Sequence, residues 1–548
     1  MHQAKARQTT LIYSKLLLSA FKSTIMSIIF IAKSLIEDRQ TAIARENKML
    51  YQPKPPKKMW DCTVFYQEPV YHIFYLSSGN IGHAATEDFI TYIEYPDING
   101  FGKPGSWNQN GVPLTGAIVK DGEIYKMLLG AVDPKSSSQV YGLYISKDLI
   151  RWNEYKDNPV LVSDGELYED TVSSRDDFMF TAWRDPYILP KEDGYYTICL
   201  CARLKKHPSS STGAAIAKLR SKDLVHFEYC PPFTEVGSFT KYAECPNIFS
   251  LAGNIYATFL DHSWGGLRTH TASRVDPAGT FYQIYEPAKN KFVFPKDCLL
   301  IGNANNRQCA WAARTVVGEG GKRLIYYHIT AEYPSFGIPK EIDVQQDKKS
   351  LKLKYFSGMD SLYGESIRIN PASLTNDGGN WSFGKDIIYG KIGLFGSALP
   401  IAEAENFILD STILLSEGDK VGIACWHSPK EEAGAAAVWL DFRNQRIMAE
   451  WEHYRAFEGF GDLQNDVVNG GMLRERDEKK IRLIHNTPYS LKIIARNNTL
   501  DVYLNDEWML CKSFPMCSGV KISLILEKGK AAFQSTKVFA CKELRILN

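Results

Sequence analysis

The chain has 548 residues, too many for one ordinary core, so two or more domains are expected. Hydrophobic residues make up 44% and charged residues 23%, a balance that excludes a disordered polymer. The 64 Lys and Arg nearly cancel the 62 Asp and Glu, and a net charge of +2 gives no electrostatic reason to expect nucleic acid or an anionic membrane as partner.

Residues 1–50 read as a partly helical N-terminal extension. Lys5 and Arg7 precede an apolar stretch, Leu11 to Ala32, that Lys15 and Lys22 interrupt. Its uncharged remainder is short of the ~20 residues a spanning helix needs. No A-x-A cleavage site follows, so a packed apolar stripe and a targeting role both stay open. The eleven cysteines contain no C-x-x-C pair and read as buried, reduced thiols. That leans towards the cytoplasm and leaves secretion open.

A proline-rich linker, Tyr51 to Lys58, leads into a β-rich region that extends to about residue 360. Three copies of one motif lie within it: Thr86 to Tyr92, Ser146 to Trp152, and Ser221 to Phe227. Each follows a strand, carries Ser or Thr two residues before an Asp, and ends on an aromatic residue. Repetition at this spacing is the mark of a β-propeller.

The start of each repeat recurs as well. Asp61, Thr115, Asp185 and Glu244 each precede an apolar run, a turn and a second run, and Gln308 opens a fifth unit. Five units imply five blades. Three of five equivalent positions, each at the start of an innermost strand, then hold a carboxylate. Propeller symmetry is expected to bring these acids, distant in sequence, to one funnel. A solvated turn residue is the ordinary explanation for any one of them, but not for three together.

From about 361 to 548 the pattern becomes that of a second all-β domain, read as a linker and a sandwich. Phe407–Leu415, Ala435–Asp441, Lys479–His485, Tyr489–Ala495 and Leu500–Leu504 are its predicted strands.

At this point the residues resemble glycoside hydrolase family 32, the invertases, inulinases and levanases. Trp183-Arg184-Asp185-Pro186 is similar to the family's transition-state-stabilising motif, and Glu244-Cys245-Pro246 to its acid/base motif. Ile81-Gly-His-Ala84 resembles a first-blade segment. Tyr489 to Asn505 resembles the strand pair that ends the family's sandwich. Where the family carries W-M-N-D-P-N-G around its nucleophile, this chain has Met59-Trp60-Asp61-Cys62-Thr63.

The resemblance implies a five-bladed β-propeller over 51–360 followed by a β-sandwich. It implies a retaining hydrolase of β-fructofuranosides, with sucrose, a fructo-oligosaccharide or a fructan as substrate; no phosphate-loop, dinucleotide or H-E-x-x-H motif appears in the sequence, so no cofactor or metal is expected. Asp61 is then the nucleophile, Glu244 the acid/base and Asp185 the stabiliser of the oxocarbenium-like transition state. Trp60, Arg184, Thr115 and Gly116 are candidate substrate contacts, with a structural salt bridge equally open for Arg184. For Trp60 and Trp183, stacking on sugar and packing in the core are both open. Cys245 is expected on the opposite face of its strand from Glu244. A fructosyltransferase, an arabinofuranosidase-like enzyme and a non-catalytic sugar-binding propeller remain as alternatives on the same scaffold.

Overall fold

Strand-forming runs broken by two-residue turns dominate the architecture. The computed structural model describes residues 49–547 except 55–56, 99, 112, 134, 136–137, 172–180, 208–212, 238–241, 262–277, 304–309, 330–333, 371–379, 394–395, 428–433, 454–475 and 515–518. The predicted helical extension thus lies almost wholly outside the described residues, as do Gln308, Cys309 and Cys517. Among the described residues the helical turns are three short 3-10 segments, Pro287–Lys289, Glu319–Gly321 and Ser357–Leu362. None is long and apolar enough to cross a membrane. The nine described cysteines are free thiols, seven of them buried.

Five antiparallel meanders follow one another. The first is β1 (Trp60–Gln67), β2 (Val70–Ser77), β3 (Asn80–Thr86) and β4 (Thr91–Ile98). The second is β5 (Pro113–Asp121), β6 (Ile124–Val132), β7 (Gln139–Ser146) and β8 (Asn153–Glu154). The third is β9 (Trp183–Ile188), β10 (Tyr196–Arg203), β11 (Ala214–Ser221) and β12 (Glu228–Gly237). The fourth comprises β13 (Glu244–Leu251), β14 (Asn254–Asp261), β15 (Ala278–Glu286), β16 (Lys291–Val293) and β17 (Leu299–Asn303). The fifth comprises β18 (Ala310–Val317), β19 (Arg323–Ile329), β20 (Ser335–Phe336), β21 (Lys340–Val344) and β22 (Leu351–Tyr355). The first strands touch in cyclic order: β1 meets β5, β5 meets β9, β9 meets β13, β13 meets β18, and β18 meets β1. A closed ring of first strands results.

The repeated sequence motif is one physical turn between the third and fourth strands. Thr86, Ser146 and Ser221 accept, through their hydroxyls, the N–H of Phe89, Leu149 and Leu224 at 2.8, 2.9 and 2.8 Å. The Asp two residues on accepts two further N–H groups, as Asp148 does from Ile150 and Arg151 at 2.9 and 2.8 Å. Phe89, Leu149 and Leu224 each adopt a positive φ, and each buries its side chain. Side-chain oxygens here replace the ladder that a tight bend cannot supply.

The fifth meander runs on from β22 into Glu507–Ser513, and the sheet continues through Thr499–Leu504, Tyr489–Arg496, Phe407–Gly418 and Gly529–Cys541. A six-stranded sheet, from Ser397–Glu403 to Arg476–Lys480, shares an apolar core with it built from residues such as Leu409, Leu440, Ile493 and Leu524. The chain then returns to the first meander, where Arg545–Leu547 pairs in parallel with β4. One predicted strand is corrected: Lys479–His485 stops pairing at Lys480. Gln445 and Tyr489 capture its later N–H groups, those of Ile481, Leu483 and Ile484, at 3.0, 2.9 and 2.8 Å.

Candidate active site

Every first strand is interrupted by a bulge near its beginning. In β1 the pairing skips between Trp60 and Cys62, so Asp61 is extra. Opposite β9 the register slips so that Asp185 and Pro186 face Leu200 alone. Likewise Cys245 and Pro246 in β13, Ala312 and Ala313 in β18, and Thr115 and Gly116 in β5 stand two against one. Four of the five first bulge residues have positive φ: Asp61 (26°), Asp185 (59°), Cys245 (48°) and Ala312 (48°). Such conformations cost a non-glycine residue energy and persist where the surroundings impose them. Proline suits the second place in β9 and β13, because a bulge residue has no ladder N–H to lose.

This register keeps three of the five aligned positions and corrects two. Asp61, Thr115 and Asp185 open their bulges, but the counterpart in β13 is Cys245, one residue after Glu244, and in β18 it is Ala312, four residues after Gln308. Glu244 stands one place earlier, level with Trp60, Leu114, Arg184 and Trp311. The three acids still converge. Asp61 feels the charges of both Asp185 and Glu244, and Asp185 feels that of Glu244. The bulge also cancels the alternation of side chains that placed Cys245 on the far face. Its thiol is held neutral by burial, then by Asp185, with Asp61 and Glu244 acting on it as well.

Asp61 is pushed up to about 7, first by burial and then by Asp185 and Glu244, while Arg314 and Arg184 pull it down. A third of its side chain nevertheless meets solvent, which gives a ligand a way to it. Asp185 is nearly inaccessible and is raised by burial against the pull of Arg184 and Arg314. Its Oδ2 accepts the Cys245 N–H at 3.1 Å, and its own N–H donates to Tyr141 Oη at 2.8 Å. Glu244 Oε1 pairs with Arg184 Nη2. Arg184 Nε also lies 3.8 Å from Asp185 Oδ2, Nη1 donates to Gln139 Oε1 at 3.3 Å, and the guanidinium rests 4.6 Å over the Tyr242 ring.

The other predicted contacts divide. Trp60 is 41% exposed at the start of β1, edge-on to His328. Trp183 is fully buried beside Tyr168 and Tyr229, so for it core packing is the correct reading. Thr115 is buried; its hydroxyl donates to the Asp61 carbonyl at 3.5 Å and its carbonyl accepts from Tyr141 Oη at 3.2 Å. The Gly116 carbonyl accepts from Thr63 Oγ1 at 2.8 Å and Arg314 Nη1 at 2.9 Å. A Cβ at Gly116 would stand 2.4 Å from the Leu128 carbonyl oxygen, so the close approach of β6 requires glycine.

Sequence reasoning missed Arg314, Tyr141, Thr63 and His328. His328 is inaccessible, held neutral by burial with its pKa lowered to about 3, and its Nδ1 is 3.9 Å from Asp61 Oδ1. Neither ring nitrogen has a partner among the described residues. The signal for Arg314 was in the sequence: one charged residue in the run Ala310-Trp-Ala-Ala-Arg-Thr-Val-Val317.

A family model described as Glycosyl hydrolases family 32 N-terminal domain matches residues 58–329, which hold all three acids. A search of curated protein sequences finds no match. Among solved structures, the chain is similar to a Bombyx mori GH32 beta-fructofuranosidase, with 15% identity, a TM-score of 0.62, and coverage of 91% of this chain and 94% of that one. It is similar to the sucrose-6-phosphate hydrolase of Lactobacillus gasseri at 14% identity and a TM-score of 0.65, over 93% and 96% of the two chains. Fructan 1-exohydrolase IIa of Cichorium intybus gives 14%, 0.62, 91% and 98%. At such identities the likeness establishes a shared overall fold.

Proposed function

From the premise that this chain is a divergent member of glycoside hydrolase family 32, we propose that it is a retaining β-fructofuranosidase whose catalytic groups are Asp61, Asp185 and Glu244. The observation that carries this is the meeting of three carboxyls at the bulges of a closed ring, Asp61 and Asp185 on them and Glu244 one place before, with Asp61 pushed up to about 7 first by burial and then by the other two. Displaced titration of paired acids in a partly open site is the property a glycosidase needs.

The five meanders are then blades of one propeller over 51–360, and 361–548 is the linker and sandwich. The cyclic contact of first strands supports the former, and the shared core of the two C-terminal sheets the latter.

In this mechanism Asp61, ionised, attacks the anomeric carbon of the fructosyl unit and the bond to the leaving oxygen breaks. Glu244 gives that oxygen its proton. Arg184 beside it holds the carboxyl in place and favours the return of the charge. A water then delivers its proton to Glu244 and its oxygen to the anomeric carbon, freeing Asp61. Retention requires the two carboxyls ~5–5.5 Å apart. Asp185, anchored by the Cys245 and Tyr141 bonds, holds sugar hydroxyls and balances the positive charge of the transition state. Trp60 offers an exposed ring to the sugar. Thr115 and Gly116, their polar atoms turned to protein, shape the floor beneath it.

The test is sugar release from sucrose, inulin, levan and an aryl arabinofuranoside by wild type, Asp61→Asn and Glu244→Gln. Fructose release lost in both variants is expected. Activity on the arabinoside alone would keep the mechanism and change the substrate. Sugar binding without turnover on all four would overturn the enzymatic reading.

A further inference from the structure

Arg314 reaches across the ring. It stands on β18 just beyond the bulge, and β18 has β1 and β13 as its neighbours in the ring, with β5 and β9 on the far side. Nevertheless Nη1 donates to Gly116 O of β5 at 2.9 Å and to Thr63 Oγ1 of β1 at 3.0 Å, and Nη2 donates to Pro186 O of β9 at 3.2 Å. A side chain from one strand that bonds the two opposite strands must pass through the centre. Arg314 is 1% exposed, so its guanidinium is out of a ligand's reach.

The acceptors are not arbitrary carbonyls. Gly116 and Pro186 are second bulge residues, whose carbonyls have lost their regular ladder partners. Thr63 lies two residues beyond Asp61, and Pro186 directly follows Asp185. A rigid planar fork with five donors meets three divergent acceptors as an ammonium cannot. The same group supplies charge. Around Asp61 stand Asp185 and Arg184 from β9, Glu244 and Cys245 from β13, His328 from β19 and Arg314 itself. His328 and Cys245 are neutral, so among the described residues Arg314 and Arg184 are the groups that favour an ionised Asp61. Arg184 is already engaged by Glu244.

We propose that Arg314 is a positioning residue of the reaction: a central cation that ties together the bulges of three blades and thereby sets the place and the charge of Asp61 and Asp185, without touching the sugar. The inference rests on the reading of those two acids as catalytic. It separates geometry from charge, and two substitutions divide them. Arg314→Gln removes the charge; Arg314→Lys keeps it and loses the fork.

The experiment is the pH profile of kcat/KM and of kcat on the fructoside that wild type cleaves, with thermal melting, for both variants and Asp61→Asn in the full chain. For Arg314→Gln, kcat is expected to fall about 10- to 100-fold with KM within about threefold. The acid limb should move about one pH unit upward, because an acid deprived of a nearby cation ionises later. For Arg314→Lys the limb should stay within about 0.3 unit while kcat falls about tenfold. A folded Arg314→Gln protein with an unmoved limb, or losses confined to KM, would overturn the proposal. If Arg314→Gln does not fold, Arg314→Lys decides: wild-type kcat overturns the proposal, and a lowered kcat with an unmoved limb supports it. An active Asp61→Asn enzyme would instead sink the nucleophile reading, whatever the Arg314 variants do.

Discussion

Lys340 on β21 and Asp501 on the Thr499–Leu504 strand meet at 2.9 Å, both nearly inaccessible. Their remaining capacity is used: Lys340 Nζ donates to Tyr327 Oη at 2.6 Å and Ile338 O at 2.8 Å, and Trp508 Nε1 donates to Asp501 Oδ1 at 3.2 Å. One cation meets one anion there, on regular ladders, where the fifth meander joins the C-terminal sheet. At the ring, among the described residues, three carboxyls face two guanidiniums, with Asp61 and Asp185 on backbone of positive φ. The first arrangement satisfies its charges and fastens two parts of the molecule. In the second the described carboxyls outnumber the described cations, and Asp61 and Asp185 are held above the usual carboxylate range. Matched buried charge fastens two parts together, whereas unmatched buried charge displaces titration.

That contrast can be broken most strongly at Glu244. Glu244→Gln is expected to lower kcat/KM by about 10²- to 10⁴-fold with little change in melting temperature, measured by initial rates and calorimetry. At the joint the reverse is expected. Lys340→Met strands Asp501 without its cation and should cost about 3–5 kcal/mol in denaturant unfolding, while the rate per folded molecule stays near wild type. A large loss of rate with intact stability at Lys340 would erase the distinction.

Smaller effects sharpen it. Asp61 has a folded pKa of about 7 against an unfolded value near 3.8. Between these values the folded state keeps a proton that the unfolded state has released, so folding weakens as pH rises through this window. Asp61→Asn should therefore raise Tm by about 2–4 °C at pH 8, with the gain fading towards pH 4; the exposed third of the side chain keeps it modest. The acid limb of wild-type kcat/KM should likewise fall away below about pH 7, as a property of the coupled carboxyls rather than of Asp61 alone. Asp148→Ala, in the repeated turn, loses two N–H acceptor bonds far from this chemistry. About 1 kcal/mol of stability should go, and no activity.

Much of this was legible in the sequence. The Ser/Thr-x-Asp repeat exposed the meanders because a turn held by side-chain oxygens needs those residues at that spacing. The acids could be found because each precedes a strand, turn and strand of similar length. The off-by-one at Glu244 could not be seen, since a bulge adds a residue to a strand without any obligatory residue type; Asp, Cys and Ala all fill that place here. Trp183 resisted assignment because a buried tryptophan and a sugar-stacking one have the same composition. Arg314 was visible as a lone charge in an apolar strand, yet its partners are two carbonyls and a threonine hydroxyl on other meanders, which no local pattern encodes.

In the proposed mechanism Asp61 forms a covalent bond to the sugar while Glu244 supplies the proton. Reaction in dilute methanol tests it most directly, because methanol replaces water in the second step and leaves a stable methyl glycoside whose configuration proton NMR reads. A methyl fructofuranoside of the substrate's own configuration, formed by wild type and not by Asp61→Asn, is the result predicted. Inverted product, or retained product formed equally well by Asp61→Asn, would contradict the account.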